Sequence, residues 1–416
     1  MRAGVELGSL ALVFGLFATA GAVEVAIAPD RMLVVDGERT FILGIYENPD
    51  NDALLDEVAG AGYNLVRCSA NAEALDRLEA RGLYAWVNAG GRIDLGADGA
   101  DDPTGLEELV QDVGGHPALL VWEVPDEALW YCWVPAYDVA KPIPECVRDF
   151  RKRAADKCAG LVAGYQKMKQ LDPGRPVWMN HAPCNSLKDL ADFNRAADIV
   201  GCDIYPLFPY PTRLFDVSRR ILGFVGIQTD RMQRAAPEKP VWMVLQGFSW
   251  ADVDVLFRHR DAPGQRPTFA ESRFMAYDAI VRGARGILYW GTHHADKEGA
   301  QWRSLMRLGR ELADLQSVLS APDAAVVPGV EARSALLPLH EWVRALGKDV
   351  DGQVWWLVVN ELPVAMRYTL RGLDPLEGTT YTDAFADRQA TVTDGVLSFP
   401  IDGYGVHVLR PGADRE

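Results

Sequence analysis

The chain has 416 residues, 49% of them hydrophobic and 24% charged, with a formal net charge of −16. That length and apolar content suffice for a large core and for more than one domain. The acidic balance repels a phosphate backbone and argues against nucleic acid as a partner, although an acidic surface on its own does no more than keep a protein soluble.

Residues 1–22 carry an apolar run, Leu10 to Ala20, that closes on Ala20-Gly21-Ala22. It has the pattern of a signal-peptide core with a small-residue cleavage site and is too short for a comfortable membrane span. The positive flank is thin, since Glu6 offsets Arg2. The expectation is export to the periplasm or the exterior after this segment is removed. Residues 23–38 read as a short β lead-in, with Val23–Ala28 and Met32–Val35 separated by Pro29-Asp30.

From residue 39 to 320, short apolar runs alternate with amphipathic ones. The strand candidates are Phe41–Tyr46, Asn64–Arg67, Tyr84–Asn88, Leu119–Val124, Val177–Asn180, Ile199–Ile204, Val241–Leu245 and Gly286–Trp290. Helical patterns between them include Ala53–Ala61, Glu73–Arg81, Leu106–Val113, Glu145–Leu171 and Ala270–Arg285. Near-continuous apolar strands that alternate with helices indicate a parallel sheet buried on both faces. Eight repeats over roughly 280 residues predict an α/β fold of the (β/α)8 TIM-barrel type. No G-x-G-x-x-G follows an early strand, which argues against a dinucleotide fold, and no phosphate-binding G-x-x-x-x-G-K-[ST] is present either. Residues 326–412 change pattern. His340–Ala345, Val354–Asn360, Ala365–Leu370, Gly378–Thr382, Gln389–Thr393, Val396–Pro400 and Gly405–Leu409 are β-like and separated by turn residues, which predicts a small all-β sandwich. No low-complexity linker precedes it, so the two domains are expected to pack directly.

The six cysteines, Cys68, Cys132, Cys146, Cys158, Cys184 and Cys202, form no C-x-x-C pair. A structural zinc site is therefore not expected. Cys132 and Cys146 flank a loop rich in Pro and aromatic residues and are the first candidates for a disulfide, against the alternative of free buried thiols.

A barrel of this kind carries its active site at the C-terminal ends of the strands. Those ends hold Tyr46 and Glu47, Arg67, Asn88, Asp126 and Glu127, Asn180 and His181, Asp203 and Tyr205, Gln246, and Trp290 with His293. The fourth run reads His116-Pro-Ala-Leu-Leu-Val-Trp122-Glu-Val-Pro-Asp126-Glu127. It resembles the fourth strand of clan A glycoside hydrolases, the TIM-barrel glycosidase superfamily, as do Arg67 after strand two, Asp203-x-Tyr205-Pro206 at strand six and Trp290 at strand eight. The resemblance implies that Glu127 is the general acid/base and that Asp126 stands where many members have Asn. Chemistry asks for the same thing: a carboxylic acid with a raised pKa to protonate the leaving oxygen. Trp122 and Trp130 could desolvate Glu127, and Asp126 could repel its charge. The plain alternative is that Asp126-Glu127 caps the helix or loop that follows.

Strand seven departs from the family. Where retaining members place a nucleophilic Glu, Lys239-Pro-Val-Trp-Met-Val-Leu-Gln246 offers a neutral amide. An amide cannot form the glycosyl ester, so the two-carboxylate retaining mechanism is not expected. Three outcomes stay open: substrate-assisted hydrolysis of a 2-acetamido sugar with Asp126 orienting the acetamido group, another carboxylate such as Asp203 or Glu47, or sugar binding without cleavage. Glu123 is set aside because four residues of strand separate it from Glu127 by roughly 13 Å. Tyr46, Arg67, Trp130, Asn180, His181, Asp203, Tyr205 and Trp290 are expected to contact the carbohydrate, while Gln246 holds the sugar or a water near the anomeric carbon. Trp122, Trp178 and Trp242 lie within strands or pack behind them and read as core. His181, His293 and His294 lack metal-ligand spacing, so no metal and no cofactor is implied. No G-x-S-x-G elbow is present to suggest a serine hydrolase.

Overall fold

The computed structural model describes residues 22–47, 51–183, 185–207, 222–253, 266–333 and 342–412. Three short antiparallel strands lead in: β1 (Val25–Ile27), β2 (Leu33–Val35) and β3 (Glu38–Thr40). Eight parallel strands then close a barrel: β4 (Ile42–Ile45), β5 (Leu65–Cys68), β6 (Tyr84–Asn88), β7 (Leu119–Glu123), β8 (Val177–His181), β9 (Ile199–Ile204), β10 (Val241–Gln246) and β11 (Gly286–Trp290). Each begins and ends within one residue of the run predicted for it. The signal is strong because these strands are apolar on both faces, one towards the lumen and one towards the helices.

Four of the helices that cover the barrel start on a side-chain cap. The Asn51 side chain accepts the Leu54 N–H at the start of α1 (Asp52–Gly60), and Asn71 accepts that of Ala74 at the start of α2 (Ala72–Glu79). The outer layer continues with α3 (Thr104–Val113), the short α4 (Trp130–Trp133), the long α5 (Ile143–Leu171), α6 (Leu187–Phe193) and α7 (Phe224–Ala235). It ends with α8 (Phe269–Val281), α9 (Ala300–Asp314) and α10 (Gln316–Ser320). The predicted helix Ala270–Arg285 overran: α8 stops at Val281, and Gly283, at φ +94°, turns the chain into β11.

Alternate strand residues fill the lumen. Ile42, Leu65, Trp86, Val121, Trp178, Ile199, Trp242, Val244 and Leu288 form one buried cluster, to which Val23, Leu33 and Val35 of the lead-in sheet add from the N-terminal end of the barrel. Trp178 and Trp242 pack inside the barrel and Trp122 points outward, all three in the core, the Trp122 indole donating to Asp172 Oδ2 at 2.9 Å. The indoles meet in series, Trp86 on Trp178 at 5.7 Å and Trp178 on Trp242 at 5.6 Å between centroids. Gly201 makes room for them, since a Cβ there would sit 2.5 Å from the Trp242 carbonyl oxygen and 3.0 Å from Trp178 Nε1.

The C-terminal sheets face each other as a sandwich. One has the order β12 (Gly329–Arg333), β15 (Met366–Arg371), β18 (Val396–Ile401). The other runs β13 (Val343–Val350), β14 (Gln353–Asn360), β19 (Val406–Pro411), β16 (Thr380–Asp383), β17 (Gln389–Thr391). The edge strand β12, Gly-Val-Glu-Ala-Arg, escaped prediction because Val330 is its one strong strand former. The sandwich docks directly on α8: Arg273 donates to the Val406 carbonyl at 3.1 Å and Arg282 Nε to Glu361 at 2.8 Å. A fully buried Lys348 ties β13 to the end of the barrel domain through Asp323 at 2.8 Å and the Ala321 carbonyl at 2.9 Å.

Candidate active site

The lumen parity that carries the indoles upward also selects the residues of the C-terminal mouth. Two positions beyond Trp86, Val121, Trp178, Val244 and Leu288 come Asn88, Glu123, Asn180, Gln246 and Trp290, and Asp203 follows Ile199 and Gly201 on β9. Beyond β7 the chain reverses at Asp126-Glu127. Glu127 holds φ +48°, the left-handed region that a residue with a Cβ enters at a cost of roughly 1–2 kcal/mol. Among the described residues it is the one such non-glycine in the barrel; Asp36, Asp351 and Asp394 each precede a glycine in a tight turn of the lead-in or the sandwich. A strained carboxylic acid at a strand end is where function is expected.

Four carboxyl groups converge here. Glu127 and Asp203 lie within hydrogen-bonding reach of each other, so the charge of one opposes the ionisation of the other. Burial, then the charge of Asp126, lifts Glu127 from 4.5 to about 7, and the bond from Asp203 draws it back. Asp203 is raised well above the ordinary carboxylate range by burial, then by Glu127 and Asp126. Asp126 is raised by burial, while the Asn180 amide that donates to its Oδ1 at 3.0 Å and the Arg67 charge oppose the rise. Glu123 lies deeper, 1% exposed, its Oε2 accepting from Asn88 at 2.7 Å. Burial and Asp126 push it up to about 8, so it is mostly neutral at pH 7. Glu123 was set aside on its distance from Glu127 along the strand. The signal that would have kept it is parity, because it shares a face with Trp86, Asn88 and Val121.

Arg67 reaches the mouth from β5, exposed, and its charge is felt by Glu123, Asp126 and Tyr46. The Tyr46 hydroxyl and the Asn180 side-chain carbonyl are buried and find no partner in the protein. Two unsatisfied polar atoms beside the acid cluster are what a site awaiting a polar ligand presents. Trp290 and Tyr205 stack at 5.6 Å and 27°, backed by Phe248 at 5.0 and 5.1 Å, and make an aromatic wall on the β9–β11 side. The wall depends on Gly291, at φ +83°, where a Cβ would lie 2.5 Å from the Phe248 ring. Trp130 opens α4 just beyond Glu127 and is half-buried, whereas Trp133 packs on Phe150 at 5.2 Å.

Other candidates are occupied elsewhere. Gln246 is fully buried, and its amide accepts the Leu207 N–H at 3.1 Å while donating to the Leu207 and Phe248 carbonyls at 3.4 and 3.2 Å. It fastens the segment after β9 to the end of β10. His181 faces away from the lumen, since it follows Asn180 by one residue. Its Nε2 meets Asn194 Oδ1 at 2.8 Å, and burial lowers its pKa to about 4, so the ring is neutral. Glu47 is buried and paired with Lys297, whose ammonium also donates to the Thr292 carbonyl at 2.7 Å. Cys132 and Cys146 are free buried thiols bonded to the Ala128 and Asp138 carbonyls, so the expected disulfide is not formed; Cys184 lies outside the described residues.

The sequence matches no protein-family profile and no curated protein. Solved structures do resemble it. A glycoside hydrolase family 5 structure from Bacteroides vulgatus aligns over 93% of this chain and 92% of its own, with a TM-score of 0.58 at 15% identity. A β-galactosidase from Bacillus circulans aligns over 90% of this chain and 99% of its own, with a TM-score of 0.55 at 10% identity. Gan42B, a GH42 β-galactosidase, aligns over 89% and 98%, with a TM-score of 0.56 at 9% identity. At such identities the likeness establishes the fold: a TIM barrel followed by a β-sandwich, as in these glycoside hydrolases.

Proposed function

We propose that the protein hydrolyses glycosidic bonds in an oligo- or polysaccharide, with Glu127 as general acid/base. The observation that carries this reading is the cluster of carboxyl groups at the mouth of the barrel, in which Glu127 stands on a strained backbone beside Asp126 and Asp203. Hydrolysis needs a proton delivered to the leaving oxygen, and an acid poised near neutral pH delivers it well. Glu127 is the more exposed partner, so it faces the substrate, while Asp203 beneath it reloads it. Asp126 tunes both through its charge, and Asn180 holds Asp126. Arg67, Tyr46 and Asn180 offer polar contacts to sugar hydroxyls. Trp290 with Tyr205, and Trp130 across the mouth, offer the flat faces that pyranose C–H groups prefer.

The attacking group is a separate matter. Gln246 cannot be the nucleophile, being an amide spent on backbone. Two hydrogen-bonded carboxyl groups stand closer than the roughly 5–5.5 Å of a retaining pair, so Asp203 does not face Glu127 across a sugar ring. Attack then falls to a water or to a 2-acetamido oxygen of the substrate itself. The buried amide also favours a second reading, a barrel that binds carbohydrate without cleaving it.

The test is hydrolysis of a panel of aryl α- and β-glycosides and tetrasaccharides of galactose, glucose, xylose, mannose and N-acetylglucosamine, by the protein and its Glu127→Gln variant. Turnover that collapses in the variant supports the glycosidase, and restriction to N-acetylglucosamine substrates selects substrate assistance. Turnover indifferent to the change removes Glu127 from the mechanism. Binding without any turnover selects the second reading. Export is proposed as well, on the Leu10–Ala20 run and its Ala20-Gly21-Ala22 end. Among the described residues, no helix is long and apolar enough to cross a membrane.

A further inference from the structure

We infer that the barrel mouth takes a sugar bearing a free amine, an unacetylated hexosamine, whose ammonium sits among the side chains of Asp126, Asp203 and Asn180. The inference rests on the carbohydrate reading above and names its substrate class. Four carboxyl groups meet at the mouth: Glu123 ends β7, Asp126 and Glu127 lie in the turn beyond it, and Asp203 stands on β9. Strand β8 runs between those two strands and supplies Asn180. Among the described residues, none of the four forms an ion pair, and the exposed Arg67 forms none either. Glu47, Asp189 and Glu361, buried elsewhere, do have cations: Lys297, Arg151 and Arg282 respectively.

The unspent atoms of this cluster ask for a donor. The Asn180 amide nitrogen is spent on Asp126 Oδ1 at 3.0 Å, which leaves the amide oxygen beside the same carboxyl groups. That oxygen is buried and has no partner, and neither has Asp203 Oδ1; the two residues are 3% and 7% exposed. An amide oxygen only accepts, so its missing hydrogen has to be brought by a group that donates. A sugar hydroxyl brings one hydrogen and no charge. An ammonium brings three, with a positive charge that offsets the repulsion among carboxyl groups buried side by side. Acetylation would leave one N–H and remove the charge. The net charge of −16 draws a polycationic glycan towards the protein before it docks. The stacked Trp290 and Tyr205 give the sugar ring an apolar face, which a linear amine would not use.

Calorimetric titration with the tetrasaccharides of glucosamine, N-acetylglucosamine and glucose reads the preference, at about pH 6 so that the amine is cationic. The glucosamine chain is expected to bind roughly ten- to a hundredfold tighter than either neutral chain, the scale of a hydrogen bond made with a charged group. In Asp126→Asn the preference should shrink by about tenfold or more, while affinity for the glucose chain holds. The new amide can still accept from Asn180, so the fold is kept, and Asp203→Asn should cut the preference in the same direction. Equal affinities for the three chains, or tighter binding of a neutral one, would overturn the inference, and the glycosidase reading would stand wherever a neutral chain is turned over. A preference untouched in both variants would overturn it too, because the acidic surface at large would then hold the polycation. Turnover, followed separately on the same chains, decides the other question. If no chain is cleaved but the preference is present and falls in the variants, the inference is sustained and the glycosidase reading fails alone.

Discussion

Among the described residues, two buried carboxyl pairs stand in different surroundings. Glu127–Asp203 sits at the mouth of the barrel; Asp278–Glu361 sits where α8 meets the sandwich. Burial comes first in raising both Asp203 and Asp278, and the partner's charge comes next. Their surroundings separate them. Glu361 is held by Arg282 at 2.8 Å and by Arg344 at 3.6 Å, and Asp278 Oδ2 accepts the Gly226 N–H at 2.7 Å while its Oδ1 stays enclosed without a donor, so this pair is shut in among structural partners. At the mouth, among the described residues, the Arg67 guanidinium is exposed, Tyr46 and Asn180 leave polar atoms unsatisfied, and Glu127 bears backbone strain. A raised carboxyl pKa by itself marks burial. Raised pKa with strain and an open side marks chemistry.

The contrast breaks most visibly when each acid is exchanged for its amide. Glu127→Gln should lower turnover by about 10²- to 10⁴-fold, with a melting temperature no lower than the parent's. Asp278→Asn should leave kcat and KM where they were, because the isosteric amide can still accept from Gly226 and donate to Glu361. Loss of activity in the second variant, measured on the same substrate, would mean that the junction pair reaches the mouth and that the division drawn here is false.

Strand seven sharpens the contrast from the other direction. Gln246→Glu would place a carboxylate against the Leu207 and Phe248 carbonyls that now accept from the amide. A buried acceptor facing acceptors should cost about 1–3 kcal/mol, visible as a lower denaturation midpoint, with no gain in turnover. Increased turnover in this variant would show that the position still points at the anomeric carbon and that its amide is a lost nucleophile. Asp126→Asn acts more gently. The Asp126 charge raises both Glu127 and Asp203, so its removal lowers both. Because catalysis needs the pair to hold a proton, the fall of kcat/KM with rising pH should begin at lower pH than in the parent. A limb that stays in place or moves to higher pH would deny Asp126 this tuning role.

The barrel was legible because its strands are apolar on both faces and its helices carry caps and stripes, signals local to each segment. The mouth was only half legible. Position at a strand end found Glu127, Asp126, Asp203 and Arg67, but the same criterion admitted His181, which parity sends outward to Asn194, and Gln246, which parity sends inward and Leu207 then occupies. Strand alternation, counted from Trp86, Val121 and Trp178, would have retained Glu123 and demoted His181. No local pattern could have revealed that Leu207 takes Gln246 or that Lys297 takes Glu47, since each partner arrives from a distant part of the chain. The cysteine expectation failed for a related reason. Flanking a loop brings two residues near each other in sequence, yet both thiols are already bonded to backbone carbonyls.

The smallest effect belongs to the junction pair, and its sign is fixed by the direction of the Asp278 shift. The folded protein holds that carboxyl well above its ordinary 3.8. Between the ordinary value and the raised one, the folded state binds a proton that the unfolded chain releases, so stability declines as pH rises through that window and is whole below it. Asp278→Asn carries no such proton. Its melting temperature should therefore gain on the parent's as pH climbs from about 4 to 8, with the gap smallest at the acid end. Arg282 and Arg344 stay to hold Glu361, which keeps the amide from leaving a buried charge alone. Thermal unfolding of both proteins across that range reads the gap directly. A gap that is flat with pH would mean that Asp278 does not titrate on unfolding, and a gap that shrinks would mean that its pKa is lowered by the arginines, in which case the junction is an ion-pair cluster and not a protonated pair.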